Sequence, residues 1–246
     1  MIWFIIATLV AFFIKGLCGF ANTLIFNGIL SYTANNINIS PLEVVLGYPS
    51  NIILVWKERK SLNWKIWLPL TALVVAGSIP GIFLLKHTDA GLLKVIFGIA
   101  VIIIGIEMLF REMKSNRESS NRKPGGSKLV LILIGIISGL LCGLYGVGAL
   151  LAAYVSRVAE NSHEFKANIC VVFVVENTIR IILYAATGIL TLSVLKQVVI
   201  LIPFMLAAVF LGMKSSSVLN EKIIKKIVIV LLILSGIVLI INNIPR

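Results

Sequence analysis

The sequence predicts an all-α polytopic membrane protein made of two homologous halves. Three observations carry that expectation. First, 59% of the 246 residues are hydrophobic and 13% charged, with a mean hydropathy of +1.05. Soluble domains run at roughly 45–50% apolar, so the surplus here must face lipid. Second, the apolar residues fall into long segments separated by short polar stretches. Third, a glycine-rich stretch occurs twice, as "GLCGFANTL" at 16–24 and "GLYGVGALL" at 143–151.

A hydrocarbon core of about 30 Å needs about 20 apolar helical residues. The segments that meet or approach this are 2–34, 41–56, 66–86, 91–110, 128–155, 165–187, 194–213 and 223–243. Met1 to Ile14 has no basic flank and no small-residue cleavage pattern, so it is expected to be a retained membrane segment rather than a signal peptide. The one clear linker is "REMKSNRESSNRKPGGSK", charged, Ser-rich and punctuated by Gly and Pro. It divides the chain into a first membrane repeat at 1–110, a linker at 111–127 and a second repeat at 128–246.

Internal matches support the division. At an offset of 127, Gly16, Leu17, Gly19 and Leu24 fall on Gly143, Leu144, Gly146 and Leu151; at 131, Gly81, Lys94 and Gly105 fall on Gly212, Lys225 and Gly236. Basic residues then indicate the topology. If all eight segments span, the connections on the two sides hold 8 and 11 Lys and Arg, a poor positive-inside bias. If 128–155 enters and returns to one side at its glycines, connections 57–65, 111–128, 156–166 and 214–226 all become cytoplasmic. They then hold 16 against 3 opposite. By repeat symmetry, segment 2–34 should fold back too. As one straight helix it would measure roughly 50 Å, too long for a simple span. Each half becomes a Gly-broken first segment, re-entrant or split, plus three transmembrane helices. That odd count makes the repeats inverted, an architecture that places transporter sites at mid-membrane.

The residues carrying this pattern resemble the TauE/SafE sulfite exporter family, also called TSUP. Its early Gly-rich signature is similar to "GLCGFANTL" and "GLYGVGALL". Its second helix and following basic loop are similar to "PLEVVLGYPSNIILVWKERKSLNWKIW". The family's triple glycine is replaced by Asn22 and Thr23 in one copy and by Ala149 and Leu150 in the other. The resemblance implies transport of small anions such as sulfite, sulfonates, thiosulfate or carboxylates, coupled to an ion, in the cell (plasma or inner) membrane.

A helix break frees backbone groups, tolerable in a membrane only where they are buried in protein or line a cavity. Helix N-termini at such breaks attract anions. The candidate substrate-binding residues are therefore Gly16, Gly19, Asn22 and Thr23 at the first break and Gly143, Tyr145 and Gly146 at the second. Glycine-mediated helix packing is the competing explanation. Lys15 adjoins the first break as a counter-charge, with snorkelling to an interface as its rival. In 165–187, Arg180 follows Glu176 at the i+4 spacing of one helix face. Arg180 is read as an anion ligand and Glu176 as the proton-coupling acid, or the two as a self-neutralising structural pair. "YPSN" adds Ser50 and Asn51 beside Pro49, and at an offset of 127 these fall on Asn177 and Thr178. Asn177 joins the candidate site; an internally satisfied kink is the alternative.

Cys18, Cys142 and Cys170 lie in apolar stretches with no zinc-site spacing, so no metal and no cofactor are expected. His87 and His163 are expected in loops, solvated. A net charge of +12 without a basic, aromatic-interleaved face does not indicate nucleic acid. The expected partners are a small anion, membrane lipid and a coupling proton, with a homo-oligomer left open. No nucleophile–base pair, H-E-x-x-H or Walker motif is present, so the chain is not expected to be an enzyme or an ATP-driven pump. A passive anion channel, an intramembrane enzyme and a membrane scaffold are the other readings.

Overall fold

The computed structural model describes residues 1–30, 36–84 and 148–241, together with isolated helical positions within 95–110 and 132–140. Among the described residues there are helices and no strands. They are α1 (Ile2–Cys18), α2 (Asn22–Leu30), α3 (Asn36–Glu58), α4 (Trp64–Leu84), α5 (Ala149–Val158), α6 (Ser162–Ala186), α7 (Leu192–Val218) and α8 (Glu221–Ile241), with one 3-10 turn at Arg59–Ser61. Among the described residues, three helices are long and apolar enough to cross a membrane, at Ile39–Ser61, Ser162–Ala186 and Leu192–Val218; Ile2–Cys18 and Trp64–Pro80 are shorter apolar helices.

The expected break in 2–34 is present. Gly19 ends α1 with a φ of 87° in the left-handed region, its N–H donating to the Lys15 carbonyl at 2.6 Å. Ala21, with a φ of 72°, also adopts that region. A non-glycine residue there costs about 1–2 kcal/mol, so the turn is held by its surroundings rather than by local preference. α2 then runs back along α1: Phe12 meets Phe26 edge-on at 6.5 Å between ring centroids, and Lys15 bonds Asn22. α1 and α2 form a helical hairpin with its tip at residues 19–21.

α3 and α6 form the centre, packed along each other, and α1 lies against α7. α6 starts at an Asn161 cap, whose side chain accepts from the Glu164 N–H at 2.9 Å. α3 carries Pro41 and Pro49 within its length, α4 Pro69 and Pro80, and α7 Pro203.

Two close helix crossings use paired glycines. A Cβ on Gly16 would lie 2.4 Å from the Val209 carbonyl oxygen, and one on Gly212 would lie 2.1 Å from that of Phe13. Gly77 and Gly139 make the same reciprocal contact, with Cβ positions 2.3 Å from the Ile136 and Val74 carbonyl oxygens. Backbones approach this closely only where neither side chain intervenes.

One face of the bundle is interlocked by polar bonds. Asn63 donates from its backbone to Asn168 and from its side chain to Glu164, at 3.0 and 2.9 Å. His163 is exposed as expected, but it lies in the first turn of α6 rather than in a loop, and it pairs with Glu58 at 2.8 Å. Lys57 donates to the Met213 carbonyl at 3.4 Å, and Lys166 to the Ser216 hydroxyl. Connections 57–65, 156–166 and the start of 214–226 therefore meet on one face. All-spanning segments would put 57–65 opposite the other two. His87 lies outside the described residues.

Candidate functional site: a cleft at two helix N-termini

The hairpin tip and the middles of α3 and α6 line a narrow cleft with about 20 Å³ of room for the centres of water-sized spheres, about 370 Å³ of empty space once its open mouth is counted. α2 contributes its first residues, Asn22, Thr23 and Leu24, and α5 contributes its cap, Gly148. Two helix N-termini thus share one cavity. Their leading N–H groups have no carbonyl partner within the helix, and the positive ends of both dipoles favour an anion there.

The side chains around the tip form a chain of bonds. Lys15, 1% exposed, donates to Asn22 Oδ1 at 2.9 Å and lies 5.7 Å from the centroid of the Phe173 ring. Its ammonium is turned to the tip, not snorkelled to an interface. Asn22 Nδ2 donates to Glu43 Oε1, and Thr23 Oγ1 donates to the same oxygen at 2.8 Å. On α6, Glu176 and Arg180 are both buried and lie 3.6 Å apart. Arg180 turns away from the cleft to donate to Ser40 at 2.9 Å and Tyr184 at 3.0 Å, and those two hydroxyls meet at 3.2 Å.

Asn51 is different. It is 0% exposed on the cleft wall, and neither its Oδ1 nor its Nδ2 has a hydrogen-bond partner among the described residues. Leaving a buried polar group unsatisfied costs about 1–3 kcal/mol, so an amide held this way is prepared for a ligand or water.

Of the residues expected from sequence, Lys15, Asn22, Thr23, Asn51, Glu176 and Asn177 come together on the cleft wall. Gly16, Gly19, Ser50 and Arg180 do not line it. Gly16 packs on Gly212, and a Cβ on Gly19 would meet Lys166 Cγ at 3.0 Å. Ser50 satisfies its own kink by donating to the Gly47 carbonyl at 2.6 Å. Gly143, Tyr145 and Gly146 lie outside the described residues, as does Cys142. Among the described residues, no group of three or more His, Cys, Asp or Glu could hold a metal ion.

The sequence reading missed Glu43. An apolar segment starting at 41 puts this acid in the first turn, an ordinary place for a carboxylate. The helix instead starts at Asn36, five residues earlier, which carries Glu43 into the interior. The cleft region therefore holds two acids and two bases, Glu43 and Glu176 against Lys15 and Arg180, rather than a surplus of cations. The missed signal lies in "NINIS", 36–40, which is polar enough to pass for a loop yet extends the helix.

The sulfite exporter TauE/SafE family model matches residues 4–239, nearly the whole chain. The chain belongs to the TauE/SafE family. No match was found among curated proteins or among solved structures. TauE/SafE is a family of membrane transporters of sulfite-like anions, and the apolar helices of this member suit that setting. Gly148 shows how closely its cleft is built: a Cβ there would lie 2.3 Å from the Phe173 ring, which forms part of the same wall.

Proposed function

We propose that this TauE/SafE member is a secondary transporter of small oxyanions, sulfite, sulfonates or thiosulfate, coupled to protons. Asn51 carries the reading: a wholly buried amide with both polar atoms free, on a cleft that two helix N-termini share. An oxyanion would take the Asn51 Nδ2–H and the leading N–H groups of α2, with Lys15 as the nearest cation. Asn177 would supply a further amide. Charge balance supports coupling. With both acids ionised, Lys15 and Arg180 are already neutralised, and an added anion would leave excess negative charge in a poorly solvated site.

The duplication, with its boundaries at 1–110, 111–127 and 128–246, is part of the proposal. The reciprocal crossings support it, since the first segment of each half meets the third segment of the other through a glycine pair. The interlocked face, rich in lysine and arginine, is assigned to the cytoplasm of a multi-pass protein in the cell membrane.

Purified protein in proteoliposomes tests the function. With thiosulfate, which does not titrate near neutral pH, equal on both sides, an imposed pH gradient should drive its accumulation in one compartment. Flux that only runs downhill would make the protein a passive channel. No flux of sulfite, thiosulfate or a sulfonate would refute the anion reading.

A further inference from the structure

We infer that Glu43 is the proton carrier of the transport cycle and works as a built-in stand-in for the transported anion. The inference rests on the anion-transport reading and adds the residue and the mechanism of coupling.

Glu43 occupies the position an oxyanion would take. Its Oε1 accepts from Asn22 Nδ2 and from Thr23 Oγ1, the side chains of the first two residues of α2. Asn22 in turn accepts from Lys15, so the carboxylate holds the tip's two side-chain donors and, through Asn22, its cation. The groups facing Glu43 are Lys15 from α1, Asn22 and Thr23 from α2, and Glu176 with Arg180 from α6. α7 also packs on α3, but its lysines, Lys196 and Lys214, are exposed at its two ends. Glu176 is the poorer candidate. Its charged partner sits one turn away on the same helix, and it holds none of the donors that open onto the cleft.

While Glu43 is ionised, the tip is satisfied and the site is neutral. A proton added to Glu43 removes its demand for two donors and leaves Lys15 uncompensated. Asn22, Thr23 and Lys15 then turn to the incoming oxyanion, beside the free amide of Asn51. One proton and one anion enter together and both leave on the other side; the O–H bond formed on Glu43 at loading is broken at release, and no other covalent bond changes. For a monovalent anion the loaded site is neutral. The empty site is neutral again once Glu43 recovers its donors, so both forms can reorient. The cycle is a symport, and the sum of the anion and proton gradients sets the direction of net flux.

The test is calorimetry on the full chain, in buffers of differing ionisation heat, between pH 5 and 8. Sulfate, thiosulfate and methanesulfonate serve as probes because, unlike sulfite, they do not titrate in this range; sulfite is measured beside them. In the wild type, affinity should fall about tenfold per pH unit above a midpoint, the slope of one linked proton. One proton should be taken up per anion. Glu43→Gln should abolish both the slope and the proton uptake. Its affinity at pH 8 should rise to the level the wild type shows at low pH. Glu176→Gln should keep the proton uptake.

Thr23→Val removes one donor to the ionised acid and should move the midpoint to higher pH. It decides the matter if the Glu43 variant does not fold. Proton uptake that persists in Glu43→Gln, or a midpoint unmoved in Thr23→Val, overturns Glu43 as the carrier while anion binding stands. Wild-type protein that binds none of the four anions at any pH overturns the anion reading, and this inference with it.

Discussion

The cleft and the interlocked face draw their polar side chains largely from the same two central helices, yet leave them in opposite states. At the face, Glu164 accepts from Asn63 and from the Glu160 N–H. Asn168 likewise uses its oxygen for Asn63 and its amide for the Glu164 carbonyl. In the cleft, Asn51 has no partner among the described residues, and Glu176 Oε1 on the wall lies near Arg180 Nε behind it without a hydrogen bond. Satisfied polar groups fix one packing. Unsatisfied ones lower stability and persist where function uses them. The face reads as fastening and the cleft as a place for something to bind.

The comparison is sharpest if the fastened ends share one side of the membrane, and that effect is all-or-none. In a background with the native cysteines replaced, exposed positions Lys60, Glu160 and Lys214 changed to Cys should react with an impermeant thiol reagent from one side. Thr191→Cys, at the other end of α6 and α7, should react only from the opposite side. Reaction of Lys60 and Glu160 variants from opposite sides would restore the all-spanning topology.

The largest graded loss is expected at Arg180. Arg180→Leu strands Glu176 without its counter-charge, at a cost of about 3–5 kcal/mol, read as lost folded yield. Changing Glu176 and Arg180 together to Leu should recover most of it, since Ser40 and Tyr184 can still bond each other. Failure to recover would show that the pair does more than cancel its own charges.

Next come the glycine crossings. Gly16→Ala and Gly212→Ala drive a methyl into facing backbone and should destabilise by about 1–3 kcal/mol, leaving affinity per folded molecule unchanged. Gly148→Ala pushes on Phe173 and should change both quantities. Thermal unfolding and anion binding on the same preparations separate the two patterns. A loss of affinity alone at Gly16 would return it to the binding site.

The smallest pair contrasts the two regions directly. Asn63→Ala should cost about 1–2 kcal/mol of stability with no change in affinity. Asn51→Leu should leave stability level or raised and weaken anion binding about tenfold, roughly 1.4 kcal/mol. A destabilised Asn51→Leu with normal affinity would mean that Asn51 is a structural residue after all.

How legible these regions were follows from what each depends on. The break after Cys18 was visible because glycine and polar residues interrupt an apolar run, a property of neighbours in the chain. Lys15, Asn22 and Thr23 were legible for the same reason. Glu43 was not, because its depth depends on where α3 begins, and the polar "NINIS" hides five residues of that helix. Gly16 and Gly19 sit in one short motif and looked alike. Only packing separates them, one facing Gly212 and the other Lys166.

By itself, then, the sequence determined the solvent and the class. A chain 59% hydrophobic in long segments must be helical and in lipid, because backbone groups there have to bond within the segment. It also determined where the first helix could break. Tertiary structure decided which polar groups meet. Glu43 reaches Asn22 and Thr23 across about twenty residues of chain, and the sequence carries no local trace of that meeting. Asn51 was left partnerless by the same agency, since a side chain's hydrogen bonds are settled by the helices around it rather than by its neighbours in sequence.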